Sequence, residues 1–402
     1  MNTNTIIELF DEEEPIHNLV SALANKPQKL IFMGNTSKFD RSCPLIKQFL
    51  ANAGNSEIEI SFRPVPERNL LQIADALQQL VQENPDCSID LTGGKELFAA
   101  AAGIVFERCR AQGVQLHQYN IRTERVYDCD GDGQIPVASF PGIRVSQQIM
   151  IHGGTITECF FDSDDLNIDS MTRIKETVDK LWHIAAKNPE KWNRFIGNLN
   201  RSRIEKTTEG ITALQITDNS TLKTITEMFA ELRRIGLVSE YTENHGKITF
   251  RYAEQFAENM MNKAGNILEA KVFLCAIDAK NENEKPVYQS AASGVMIKWD
   301  RKSESDCYAT VNELDGIFMH GAVPVCASCK NGKVDMEELY KLAEVTRRFG
   351  GKYAKSVLIC SDISEIAPAF FTRAADMNIR VFADVKDWKD VDFTSALTNL
   401  LK

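Results

Sequence analysis

Apolar and polar positions alternate along this chain in three different ways. Over residues 1–145, short apolar runs alternate with stretches of helical periodicity. Strands are expected over 5–10, 29–33, 57–62, 87–91 and 114–119, and helices over 14–25, 41–52, 67–84 and 95–112. That alternation predicts an α/β domain, a parallel sheet covered by helices on both faces, with its ligand crevice beyond the C-terminal strand ends. Residues 146–260 read as a connector. Helices fit 167–182 and 191–198, while 143–146 and 154–159 add edge structure or loop. Leu222, Ile225, Met228, Phe229, Leu232 and Ile235 then share one helical face; Gly236 stops the helix, and 238–241 with 247–250 form a hairpin around 244–246. Helix followed by hairpin is winged-helix-like, yet Glu227, Glu231, Arg233 and Arg234 make no basic stripe, which favours a packing or dimerisation linker over a DNA reader. Residues 261–402 give a last α/β domain: helix 266–278, strand 294–299, two strands meeting at 320–322, helix 335–349, strand 356–360, helix 367–376 and strand 379–382.

Composition narrows the class. The chain has 402 residues, 43% apolar and 25% charged, which suits two globular domains and a connector. A formal net charge of -10 argues against unspecific nucleic-acid binding by the whole surface but permits a local positive channel. The N-terminal stretch carries no signal pattern and no run approaches 18 apolar residues, so a cytoplasmic chain with no membrane segment is expected. Ten cysteines without a secreted-protein framework point to reduced thiols. Cys326 and Cys329 would face opposite sides of a strand, which disfavours a zinc site.

Candidate chemistry concentrates at residues 311–330. Glu313 and Asp315 share one face of the first strand, alternating with Leu314, Gly316 and Phe318 and followed in phase by Ile317 and Met319; Ser328 and Lys330 share a face of the returning strand. Pairing about residues 320–322 brings carboxylates and ammonium together. In the first domain, Gly34-Asn35-Thr36 follows an apolar run, and Thr92-Gly93-Gly94-Lys95 precedes an Ala-rich helix. Glycines let backbone amides approach an anion, while Thr92 and Lys95 offer a hydroxyl and a charge. A plain glycine turn before a packed helix is the alternative. The dinucleotide fingerprint and the P-loop are absent, which disfavours a nicotinamide dehydrogenase or an ATPase. Asp128 to Gly133 imitates a calcium loop, but its twelfth position is Ser139, so a solvated turn is expected. His152 reads as a polar loop residue. Arg194, Arg201 and Arg203 read as a solvated basic face, with phosphate contact as the alternative. Arg347, Arg348, Gly350, Gly351, Lys352 and Tyr353 read either as a phosphate-tracking rim near the 311–330 site or as a capped helix end.

Phosphodiester hydrolysis needs an activated water and charge stabilisation, which carboxylates holding Mg²⁺ or Mn²⁺ and a nearby lysine supply. Asp315 and Glu269 are the candidate metal ligands, with the Cys329 carbonyl as a backbone ligand and Lys330 facing water and phosphate. Glu269, the run Asn312-Glu313-Leu314-Asp315, and Ser328-Cys329-Lys330 resemble the site of restriction-endonuclease-like nucleases, in the branch where a CRISPR-associated Rossmann-fold sensor is fused to the nuclease; Leu91 to Lys95 resembles the sensor motif. The resemblance implies a Rossmann-like sensor over 1–145, a helical and winged-helix-like connector over 146–260 and a restriction-endonuclease-like domain over 261–402. It makes Asp315 the metal-binding aspartate, Lys330 the catalytic lysine, and Thr92, Gly93, Gly94 and Lys95 nucleotide-binding residues, to which the glycine turn after the second strand adds Asn35 and Thr36. Position 328 carries serine where the superfamily usually has a carboxylate, so either Glu269 and Glu313 supply the missing charge, the favoured reading, or the site is weakened.

Members of that branch are activated by a cyclic oligoadenylate, typically cyclic tetra-adenylate, act as homodimers and cut single-stranded DNA, supercoiled DNA or RNA. The expected function is therefore a metal-dependent nuclease controlled by cyclic tetra-adenylate. The alternative is a non-catalytic, cyclic-nucleotide-responsive regulator that binds nucleic acid. A third reading has the sensor crevice cleave its own activator.

Overall fold

The computed structural model describes residues 4–129, 134–135, 140–299, 311–350, 353–364 and 366–401. Its N-terminal part runs β1 (Thr5–Leu9), α1 (His17–Asn25), β2 (Lys29–Gly34), α2 (Thr36–Asn52), β3 (Glu59–Pro64), α3 (Leu70–Glu83), β4 (Cys87–Asp90), α4 (Glu96–Cys109), β5 (Gln115–Asn120), β6 (Arg125–Asp128) and β7 (Gln134–Ile135). The strand order is β3-β2-β1-β4-β5-β6-β7, parallel from β3 to β5 and antiparallel beyond. Leu30, Ile31, Phe32 and Met33 of β2 are all buried, as expected of an inner parallel strand covered on both faces. One face packs Ile7, Leu9, Ile31 and Ile89 against α3 and α4. The expected alternation is present, and the order in which strands are added reverses at β1, with β2 and β3 on one side of it and β4 and β5 on the other. Residues 130–133 and Ser139, which bear on the calcium-loop reading, lie outside the described residues; β6 before them is extended, not helical.

Next come α5 (Val145–Ile151), β8 (Gly154–Glu158), β9 (Phe161–Asp162), α6 (Ile168–Lys187), α7 (Pro189–Ser202), β10 (Arg203–Lys206), β11 (Ile211–Gln215), α8 (Asn219–Arg234), β12 (Val238–Asn244), β13 (Lys247–Tyr252) and α9 (Gln255–Met260). The hairpin after α8 belongs to a four-stranded sheet of order β10-β11-β13-β12; β10 and β11 carry too short an alternation to be legible in the sequence. Trp192 of α7 is fully buried and its Nε1–H donates to the Ala264 carbonyl at 3.1 Å. Burial of such a ring stabilises by about 2–3 kcal/mol and ties the connector to the C-terminal part. His152 is not a free loop residue: it ends α5, its Nδ1 lies 2.8 Å from the Gln148 carbonyl, and burial pulls its pKa down to about 4.

The C-terminal part comprises α10 (Asn266–Asp278), β14 (Ser290–Trp299), β15 (Val311–His320), β16 (Val323–Lys330), α11 (Met336–Gly350), β17 (Lys355–Cys360), α12 (Pro368–Asp376), β18 (Ile379–Phe382) and α13 (Asp390–Asn399). Its sheet has the order β18-β17-β16-β15-β14-β8, with β9 also on β14. The sheet therefore draws its far edge from residues 154–162 and finishes on a helix, α13, that sequence periodicity did not reveal. Ile267, Leu268, Ala270, Val272, Phe273 and Leu274 are all buried, so α10 is apolar nearly all round and runs through the interior, where Glu269 must sit with them.

A single apolar core joins the α1 and α2 face of the first sheet to one face of the last, from Ile6 and Phe32 through Ile149 to Leu314, Ile317 and Leu358. The two α/β parts are thus packed on one another. Their contact reaches the β15–β16 turn: Gly321 has φ +56°, and a Cβ there would lie 1.7 Å from Glu124 Oε1, in the turn between β5 and β6. Among the described residues no helix is long and apolar enough to cross a membrane.

Candidate active site

β15 and β16 pair antiparallel from His320↔Val323 to Gly316↔Ala327, closing on the two-residue turn Gly321-Ala322. Beyond Gly316 a side chain takes over from the backbone ladder. Asp315 Oδ2 accepts the Cys329 N–H at 2.7 Å and the Ser328 hydroxyl at 3.1 Å. Lys330 Nζ stands 3.9 Å from the same oxygen and 2.8 Å from Glu338 Oε2, at the start of α11. Alternation along β15 does not keep one phase as expected: Leu314, Ile317 and Met319 all join the core shared with the first sheet, whereas Phe318 joins the other. Across the sheet lies Gly294, between the partners of Gly316 and Leu314, with φ +58°. A Cβ at Gly294 would come 2.7 Å from Phe160 Cβ, so this bend requires glycine.

Electrostatics mark the place where the elements meet. Burial, then the charges of Asp315 and Glu313, push the Glu269 carboxyl up to about 8, against the pull of Lys263 and Lys330. Asp315 is also raised by burial, opposed by Lys330 and by its hydrogen bonds from Cys329 and Ser328. Burial works against the Lys330 ammonium, yet Asp315 and Glu338 outweigh it and hold its pKa above the ordinary lysine value. The structure brings Glu269, Asp315, Ser328 and Lys330 into one electrostatic neighbourhood. Glu313 acts on Glu269 and Asp315 from the rim, where it pairs with Lys263 at 3.1 Å. Glu338 and Lys263 were not singled out from the sequence. Glu338 had one available signal, its position in an acidic first helical turn eight residues beyond Lys330.

Cys326 and Cys329 fall in opposite cores of the sheet and are free thiols. The phosphate-rim reading of 347–353 is corrected. Lys330 pairs with Cys360 at one end of β17, whereas Tyr353 precedes Lys355, the partner of Val325, at the other. Five residues of strand separate those ends, about 16 Å. Tyr353 lies against His17 and Arg122 of the first domain; Gly350 packs on Pro324, Arg348 covers the Trp299 ring at 3.7 Å and Arg347 pairs with Glu344. Gly351 and Lys352 lie outside the described residues.

In the first domain, Gly34-Asn35-Thr36 and Thr92 to Lys95 follow β2 and β4, on either side of β1 and about 10 Å apart by strand spacing. The first lines a cavity of about 460 Å³ with Pro64 and Val65. Asn35 caps α2, accepting the Lys38 N–H at 3.4 Å. The Thr92 hydroxyl is already engaged: it donates to Asp90 Oδ1 at 2.5 Å and accepts the Tyr119 N–H at 2.8 Å. Gly94 has φ +86°, and a Cβ there would meet Leu9 Cβ at 2.5 Å, so the turn crosses β1 too closely for any side chain. Lys95 is exposed at the N-cap of α4. Asp90, which anchors Thr92, escaped the sequence reading together with its buried neighbours in register, Glu8 and His117. Burial and the Asp90 charge hold Glu8 well above the usual carboxylate range, and burial lowers His117. Polar residues within otherwise apolar strands were the signal.

No protein-family model matches the chain, and no curated protein matches it in sequence. Solved structures do match. Can2 from Sulfobacillus thermosulfidooxidans, determined with cyclic tetra-adenylate, superposes with a TM-score of 0.68 at 16% identity over 100% of this chain and 98% of its own. Protein VC1899 from Vibrio cholerae gives 0.75 at 16% identity over 99% and 97%. A type III CRISPR defence DNA nuclease activated by cyclic oligoadenylate gives 0.50 at 14% identity over 90% of this chain and 46% of its own. The arrangement of two α/β parts joined by a connector is shared along the chain with the first two of these structures.

Proposed function

We propose, from a fold shared end to end with CRISPR ancillary proteins, that this chain is a divalent-metal-dependent nuclease for DNA or RNA, activated by cyclic tetra-adenylate. The observation that carries this reading is the meeting of Glu269, Asp315 and Lys330, from three separate elements, at the point where β15 and β16 part. Among the described residues no three His, Cys, Asp or Glu side chains stand as a metal-holding group. Two carboxylates whose ionisation is suppressed by burial, that of Glu269 also by the charge of Asp315, still suit a cation, which would reverse that suppression. Glu269 and Asp315 would hold Mg²⁺ or Mn²⁺, with the Cys329 carbonyl on the strand edge whose N–H meets Asp315. When bound, such an ion supplies Lewis acidity and a more acidic water. Lys330 neutralises charge on the phosphoryl oxygens and orients the attacking water, steadied by Glu338. Ser328 supplies no charge; its hydroxyl orients the Asp315 carboxylate.

The activator would lie between Gly34-Asn35-Thr36 and Thr92-Gly93-Gly94-Lys95, with two copies of the chain offering matching clefts to a two-fold ring. Activation is then a population shift, because a ligand that binds one arrangement better than another moves the equilibrium toward it. The test is cleavage of labelled single-stranded DNA, RNA and supercoiled plasmid with Mn²⁺ or Mg²⁺, with and without cyclic tetra-adenylate. Activator-dependent cutting that disappears in Lys330→Ala, while activator binding persists, is expected; cutting by Lys330→Ala at the parent rate overturns the mechanism. Ser328 in place of a carboxylate favours one second reading, a regulator that binds nucleic acid without turnover. Activator binding with no cutting under either metal would point there.

A further inference from the structure

Two recesses meet beside the candidate active site. The first, about 700 Å³, lies between the α6–α7 junction and the loops that follow β16 and β17. It starts at Gly332, two residues past Lys330, where Asn193 of α7 holds both the Asn331 backbone carbonyl and its side chain. Four cations line it, Lys187, Arg194, Lys333 and Lys386, against two carboxylates, Glu190 and Asp362. That excess is local and contrary to the whole chain, whose net charge is -10. The second recess, about 430 Å³, shares Lys187 and Lys386 with the first and so continues it. Its charges balance: Lys187, Lys271 and Lys386 face Asp179, Asp387 and Asp390, and Lys271 lies 2.6 Å from each of Asp179 and Asp390. A half-buried indole, Trp388, stands in it beside Trp182.

We propose that the first recess holds the phosphodiester backbone of a single-stranded nucleic acid, and that the second receives a base beside Trp388. Lys386 is paired with Asp362, but Lys187, Arg194 and Lys333 are exposed and outnumber Glu190, which suits phosphates, whereas a charge-balanced, indole-lined recess suits an uncharged aromatic ring. Those are the two parts that strand-binding grooves combine. Volumes of 700 and 430 Å³ are the size of small-molecule clefts, on the scale of single nucleotides. The proposal rests on the nuclease reading for its direction: a strand laid here leads along Gly332 and Lys333 to Lys330. It assigns the connector helices a substrate-positioning role.

The test measures fluorescence anisotropy of labelled 12-residue oligo-dT and oligo-U on the full chain carrying Lys330→Ala, in EDTA with cyclic tetra-adenylate. Lys187→Glu with Arg194→Glu reverses two exposed charges on helix surfaces; Lys223→Glu with Lys247→Glu, exposed elsewhere on the connector, makes the same change in net charge. The groove variant should bind at least tenfold more weakly than the control variant. Its log-log salt slope should fall by about 1.4, the loss of two phosphate contacts on a single strand. Trp388→Phe, which retains an aromatic ring against Phe382 and Phe393, should lose the oligonucleotide quenching of indole fluorescence. Equal binding by groove and control variants overturns the groove, as does tighter binding of a duplex than of either strand; the DNA and RNA arms identify the preferred sugar. With Lys330 intact, a parent that binds strands through the groove but cuts none defeats the nuclease reading alone. Cutting with an unchanged KM in the groove variant defeats the groove alone.

Discussion

Glu269 makes the most quantitative demand on this structure. Its carboxyl ionises at about 8 in the folded, metal-free chain against an ordinary 4.5, chiefly because it is buried and secondly because Asp315 and Glu313 are near. Between those two values the folded chain keeps a proton that the unfolded chain has released, so stability falls as pH rises through the window and is unaffected by this group below about 4.5. At about 1.4 kcal/mol per pH unit, the cost is about 1 kcal/mol at pH 5 and about 3 kcal/mol at pH 7. Glu269→Gln preserves the shape of the protonated side chain and removes the titration. In urea unfolding with EDTA, the parent should therefore lose about 2.5 kcal/mol between pH 5 and pH 7 relative to the variant. Added Mn²⁺ should abolish that difference in slope by holding Glu269 ionised, and should stabilise the parent more than the variant. Parallel pH profiles for the two proteins in EDTA would refute the electrostatic account of the site, whatever the nuclease assay shows.

Four further changes probe other parts. Ser328→Asp replaces a hydroxyl that donates to Asp315 with a like charge; it should destabilise the metal-free chain by about 1–2 kcal/mol and tighten Mn²⁺ binding by calorimetry, and unchanged metal affinity would count against the ligand assignment. Thr92→Val keeps the volume but loses the bonds to Asp90 and from Tyr119, at about 1–3 kcal/mol, and should weaken cyclic tetra-adenylate binding measured by titration. Gly321→Ala forces a side chain into φ +56° and onto Glu124; a loss of about 1–3 kcal/mol in thermal unfolding is expected, with activator stimulation of cutting reduced more than activator affinity. Lys271→Met leaves Asp179 and Asp390 without their cation. Both carboxylates are half exposed, so the loss should be about 2–3 kcal/mol in urea unfolding, below that of a fully buried pair.

Local pattern carried much of this molecule. Strand and helix alternation over the first 120 residues is legible because inner parallel strands are short apolar runs and their covering helices amphipathic, and α10 and β18 follow the same logic. The turn at Gly321 and the opposite faces of Cys326 and Cys329 follow from a period of two. What local pattern missed depends on contacts distant in sequence. Nothing in Gly154–Glu158 names β14 as its partner, and the break in phase along β15 lies opposite Gly294, on another strand, which no local pattern in β15 reveals. The rim reading at 347–353 failed because a basic, glycine-containing segment looks alike at either end of a strand; only the register of β16 on β17 places Tyr353 far from Lys330.

The sequence by itself determined which chemistry was available: two carboxylates and a lysine at strand and helix positions, and two glycine turns at strand ends. Those are properties of residue type and short-range periodicity. Tertiary structure decided which groups share a field. Glu269 ionises abnormally because α10 carries it into the interior beside Asp315, 46 residues away, while Glu313 adds its charge from the rim, where it pairs with Lys263. It also gathered Lys187, Arg194, Lys333 and Lys386 from four segments of an acidic chain into one cleft. Coulomb interactions depend on distance and burial, which folding sets and the order of residues along the chain does not.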